Sequence, residues 1–126
     1  MIRRLVLGAV ALLLTSCDGP VMGELVFDLT TPRDDDGAIH FTITAFPGAE
    51  VFDLEAACAG CQLFTRTVDG NRTVGIVTGP IVAGEFVRAM VSDVGSPRAF
   101  ILSVVEVANR AYDLQPLEGY RISVAR

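Results

Sequence analysis

Residues 24–45 read Glu24-Leu25-Val26-Phe27-Asp28-Leu29-Thr30, break at Arg33-Asp34-Asp35-Asp36-Gly37, and resume as Ala38-Ile39-His40-Phe41-Thr42-Ile43-Thr44-Ala45. On both sides of the break apolar and polar side chains alternate with period two. Successive side chains of a strand point to opposite faces, so this is the pattern of two half-buried strands joined by a polar turn. It predicts Leu25, Phe27 and Leu29 facing inward from the first strand. From the second, Ile39, Phe41 and Ile43 face inward, with His40, Thr42 and Thr44 outward.

The alternation runs on toward the C-terminus. Phe46-Pro47-Gly48 opens a short strand over Val51–Leu54, and Gln62–Val68 and Arg72–Thr78 flank Asp69-Gly70-Asn71. Asp-Gly between alternating segments is a hairpin signal, expected here as a turn with positive φ at both central positions. Glu85–Ser92, Ala99–Val107 and Tyr120–Val124 complete the set, and Ala99–Val107, the most apolar of them, is expected as a central strand. No stretch of the domain carries a helical period. Short strands punctuated by turn residues predict an all-β fold, a small antiparallel β-sandwich of about 7–9 strands, with a closed barrel as the alternative.

The N-terminus has a different grammar. Met1-Ile2-Arg3-Arg4 is cationic, and an apolar run from Leu5 to Leu14 follows. A membrane span needs roughly 20 apolar residues, so this run is too short to be one and has the layout of a secretory signal. It ends in Leu14-Thr15-Ser16-Cys17, which resembles a bacterial lipobox. That resemblance implies a signal peptide over 1–16 and cleavage before Cys17. It also implies diacylation of the Cys17 thiol, the two-chain anchoring that holds a protein stably at a bilayer. The expected organisation is a signal peptide helix over 1–16, a lipidated cysteine and short tether over 17–23, and a β-sandwich domain over 24–126. The expected location is the cell envelope, on the exported side of a bacterial membrane. Asp18 resembles an inner-membrane retention signal, and inner and outer membrane both stay open.

Removing Arg3 and Arg4 from 10 basic residues leaves 8 against 15 acidic ones, a formal charge of −7. Such a domain repels phosphate backbones, which argues against nucleic-acid binding. Every basic residue is Arg, so lysine chemistry is excluded.

Three local motifs could carry chemistry. Cys58-Ala59-Gly60-Cys61 has the spacing of a redox or metal motif, yet no βαβ pattern surrounds it and one His in the whole chain is too few to complete a metal site. With Cys17 lipidated, Cys58 and Cys61 are the pair left in an oxidising compartment, and a structural disulfide is expected. So short a ring stiffens a loop more than it stabilises a fold. Asp34-Asp35-Asp36 is expected as a solvated turn, with a weak cation site as the alternative. His40 is expected at the surface. The five serines include no nucleophile-elbow motif, and nothing selects a carboxylate pair. No enzyme, no cofactor and no metal are therefore expected. The seven Phe read mostly as core, leaving Tyr112 and Tyr120 as a thin supply of sugar-stacking rings.

Leu25–Leu29 leading into Ala38–Ile43, with Ala83–Ala89 and Gly119–Val124 later, resembles the opening and closing strands of cohesin-like bacterial β-sandwich modules. That resemblance implies binding of partner proteins or glycans at a cell surface. The expected function is a membrane-anchored, non-catalytic binding or scaffolding module for another envelope protein. A glycan- or cation-binding surface module is the alternative.

Overall fold

The computed structural model describes residues 19–125. The expected signal helix over 1–16 and Cys17 lie outside the described residues. Among the described residues nine strands follow one another: β1 (Gly23–Thr30), β2 (Asp36–Ala45), β3 (Val51–Ala56), β4 (Gln62–Asp69), β5 (Arg72–Ile81), β6 (Gly84–Val91), β7 (Phe100–Asn109), β8 (Leu114–Gln115) and β9 (Arg121–Val124). They form a four-stranded sheet ordered β3-β6-β1-β9 and a five-stranded sheet ordered β4-β5-β2-β7-β8. Every pairing is antiparallel. The fold is an antiparallel β-sandwich, and helical structure among the described residues is limited to a 3-10 turn at Pro97–Ala99.

The inward faces are those the alternation predicts. Leu25, Phe27 and Leu29 meet Ile39, Phe41 and Ile43 in one buried cluster with Val77, Phe86, Val87 and Val107. Burial of each such side chain contributes about 1.5–3 kcal/mol. The Phe41 and Phe86 rings meet edge to face, 5.5 Å between centroids at 68°, the geometry their quadrupoles favour. Two features make room for that pair. Phe86 is an extra residue in the β1–β6 register, which passes from Phe27↔Val87 to Asp28↔Glu85, so the bulge turns both Phe86 and Val87 inward. Gly75 lies directly under Phe41, where a Cβ would come within 2.5 Å of the ring.

Several details depart from the sequence reading. The Asp69–Arg72 hairpin forms, but neither Gly70 nor Asn71 takes positive φ. The Asp69 carboxylate accepts the Asn71 N–H instead, at 3.1 Å, and closes the turn from its side chain. The apolar strand β7 is not central; β2 is. Beyond β7 lies only the two-residue β8, and Ile101 and Val105 on β7 are exposed. Four of the seven Phe are core; Phe46, Phe52 and Phe64 are exposed. Val21 and Gly23, expected in the tether, lie within the folded domain. Gly23 already belongs to β1, and Val21 is held by its carbonyl accepting Val94 N–H at 2.9 Å and its N–H donating to Asp93 Oδ1 at 3.2 Å.

The strand directions sort the loops into two ends. At one end the chain enters: Pro20 shares a cleft with Pro47, Gly48, Ser92 and Asp93, and Asn71 accepts the Ala45 N–H at 2.8 Å. At the opposite end lie the β1–β2, β3–β4, β5–β6, β7–β8 and β8–β9 connections.

Candidate functional site

The far end holds both loops singled out from the sequence, and it joins them through a cleft of about 490 Å³ lined by Gly37, Thr78, Pro80, Asn109, Arg110 and Tyr112 among others. One wall is Gly79–Pro80 at the end of β5. Gly79 has φ of 132°, and a Cβ there would lie 2.8 Å from the Gly60 carbonyl oxygen, so only glycine lets the two segments meet. The Cys58–Cys61 loop is thereby a buttress for that wall. Its disulfide is present, closed across a turn in which Cys58 O accepts Cys61 N–H at 3.2 Å, and both cysteines pack against the core.

The other wall is the β7–β8 turn. Asn109 organises it: its side-chain oxygen accepts the N–H of Ala111 at 2.9 Å and of Asp113 at 3.0 Å. Its carbonyl accepts Tyr112 N–H at 3.0 Å, and its own N–H donates to Asp113 O at 2.9 Å. This cage holds Tyr112 at φ of 69°, the one non-glycine residue with positive φ among the described residues. A bulky side chain there costs on the order of 1 kcal/mol, and Tyr112 recovers none of that by packing, since it is 92% exposed. Arg110 beside it donates through its backbone N–H to Asp35 O at 2.9 Å and through Nη2 to Asp34 O at 3.3 Å, tying the β1–β2 loop to the same wall.

The three aspartates part company. Asp34 is exposed and contributes its carbonyl. Asp35 pairs with Arg33 Nε at 3.0 Å, and the guanidinium's hydrogen bond holds that carboxyl below the usual carboxylate range. Asp36 is not a solvated turn residue as expected but is 0% exposed. Its Oδ2 accepts the Thr31 hydroxyl at 2.6 Å and its Oδ1 the Tyr120 hydroxyl at 2.7 Å. A buried carboxylate is tolerated when its oxygens are hydrogen-bonded. Burial first, and then the bond to Asp36, push the Tyr120 phenol up to about 12. Because the carboxylates face different partners, no group of three His, Cys, Asp or Glu able to hold a metal ion occurs among the described residues.

A second concavity, of about 420 Å³, lies on the outer face of the five-stranded sheet, where Phe64, Val68, Val74 and Ile76 surround His40. His40 is half-buried on that face, with Nδ1 3.7 Å from Glu106 Oε1 on β7.

Sequence reasoning reached Cys58, Cys61 and Asp34–Asp36, and Tyr112 only as a candidate sugar-stacking ring, but not Asn109 or Arg110, which face the cleft with it. Asn109 and Asp113 around an aromatic residue are the one signal that could have marked the turn, as side chains that bond their own backbone. Positive φ at Tyr112 has no sequence signal.

No protein-family model matches this chain, and no curated protein and no solved structure matches it either. The likeness to cohesin-like modules rests on the strand pattern alone.

Proposed function

We propose that the chain is an exported lipoprotein whose β-sandwich is a non-catalytic binding module, presenting the Tyr112–Arg110 cleft to another envelope protein. The single observation that carries the reading is Tyr112, strained and almost fully exposed, yet held in place by the hydrogen-bond cage of Asn109. Strain retained at an exposed position points to function rather than packing. Tyr and Arg are among the side chains most enriched where protein interfaces concentrate their energy, and a Tyr whose backbone is already fixed loses only side-chain freedom on binding. The lipobox-like Leu14–Cys17 supports the anchor. Chain entry at the opposite end of the sandwich supports the orientation, because a lipid on Cys17 would leave the cleft facing away from the bilayer. The cation alternative has no comparable support, since Asp35 and Asp36 are already engaged by Arg33, Thr31 and Tyr120.

Photo-crosslinking in cells tests this. A photoreactive residue at position 112 should give one discrete protein adduct that weakens with Arg110→Ala. The same residue at position 66, on the outer sheet face, should not give it. Equal labelling at both positions, or no adduct at 112, refutes the proposal.

A further inference from the structure

The end where the chain enters carries its own exposed apolar rim. Val21 is 57% exposed, Met22 63% and Phe46 49%, and Pro47 is exposed beside them. The backbone that carries Val21 and Phe46 is held in place. Val21 is bonded to Val94 and Asp93, and Phe46 N–H donates to Ala99 O at 2.8 Å. Ala49 N–H donates to Phe46 O at 2.9 Å, closing a tight turn that pushes Phe46-Pro47-Gly48 outward. Pro20 joins that turn through the shared cleft. An apolar rim carried on hydrogen-bonded backbone at one end of an acidic domain calls for an apolar partner.

We propose that this rim is seated in the headgroup–acyl boundary of the bilayer, so that the domain is docked on the membrane end-on and does not swing from a tether. The occupant follows from where the chain enters. Val21 is the fourth residue after Cys17, and four extended residues span about 14 Å at most. The inference rests on the proposed lipid at Cys17, which would hold the rim within that distance of the acyl chains. Glu24, Glu50, Asp69 and Asp93 near the same end outnumber Arg72 and Arg98 there and oppose adsorption to an anionic surface, so insertion of Val21, Met22 and Phe46 has to supply the attraction, as it does for other interfacial apolar faces.

The chain contains no Trp, which makes the test direct. Phe46→Trp at the rim, Met22→Trp as a second rim reporter, and Tyr112→Trp at the far end each create a sole tryptophan. The full lipidated chain would be reconstituted into vesicles of phosphatidylethanolamine and phosphatidylglycerol with brominated acyl chains. Intact mass of the same preparation reports the lipid on Cys17, and flotation reports vesicle attachment. The expected result is blue-shifted, bromine-quenched emission from Phe46→Trp and Met22→Trp, and unquenched emission from Tyr112→Trp. Lipidated, floating protein whose two rim reporters are both unquenched overturns the docking while leaving the anchor intact. Protein without lipid on Cys17 overturns the anchor, and the docking with it.

Discussion

Replacing Tyr120 with Phe removes one hydroxyl and nothing else, and the structure says what that hydroxyl does. It donates to Oδ1 of Asp36, a carboxylate with 0% exposure, at 2.7 Å. A hydrogen bond to a charged group contributes about 1.5–3 kcal/mol, and the value is toward the upper part of that range when its loss leaves a buried acceptor unpaired. The ring stays, so no cavity forms. Tyr120→Phe should therefore lower the unfolding free energy by about 2–3 kcal/mol, a large share of the roughly 5–15 kcal/mol typical of a small domain. Urea unfolding followed by circular dichroism should show the midpoint falling with an unchanged slope. The pH dependence gives a second reading. The folded phenol is raised from 10 to about 12. Its stabilising contribution is thus complete below pH 10 and lost as the pH rises through about 12. Two units correspond to about 2.7 kcal/mol; partial solvent access at Tyr120 brings this to about 1–2 kcal/mol. The wild-type chain should lose that amount across the alkaline window, and Tyr120→Phe should not. A cycle with Thr31→Val, which removes the donor on the other Asp36 oxygen, should show coupling. A Tyr120→Phe variant within about 0.5 kcal/mol of wild type at neutral pH would falsify the assignment of this cluster as a buried stabilising network.

Gly75→Ala should destabilise the domain by about 1–3 kcal/mol, read by the same urea titration, because its Cβ would lie 2.5 Å from the Phe41 ring in a core without slack. Tyr112→Gly should be neutral or up to about 1 kcal/mol stabilising, since it relieves the positive φ; weaker recovery of the envelope partner by this variant in a pull-down would separate binding from stability. The N–H groups of Val21 and Gly95 bonded to Asp93 hold its carboxyl below its ordinary 3.8. That attachment should be complete above pH 4 and lost as the pH falls through the depressed value. The protection of the Val21 and Gly95 amides against hydrogen exchange, taken relative to the intrinsic rate at each pH, should fall in that acid window, and should be low already at neutral pH in Asp93→Ala.

The inward face of Leu25, Phe27 and Leu29 on β1 and of Ile39, Phe41 and Ile43 on β2 could be read from the sequence because a strand's side-chain period of two ties inward position to polarity. Phe86 could not be placed that way, since its inward turn comes from a bulge in pairing with β1, a strand far away in sequence. Asp36 misled for a related reason. A third aspartate before Gly37 looks like solvent, and only the arrival of Tyr120, 84 residues later, makes its burial tolerable. The candidate site divides the same way. The Cys58–Cys61 pair was legible as cysteine arithmetic, but its service as a buttress for Gly79–Pro80 was not.

By itself the sequence determined an all-β chain with two inward-facing opening strands, a disulfide loop and an acidic composition, because these are local matters of period, spacing and charge. The tertiary structure alone decided which loops share an end, that Tyr112 and Arg110 face a cleft there, and that Val21, Met22 and Phe46 form a rim where the chain enters. Those placements depend on the order in which strands pair. Pairing joins segments distant in the chain through backbone hydrogen bonds that every residue type can make, so no short stretch of sequence records them.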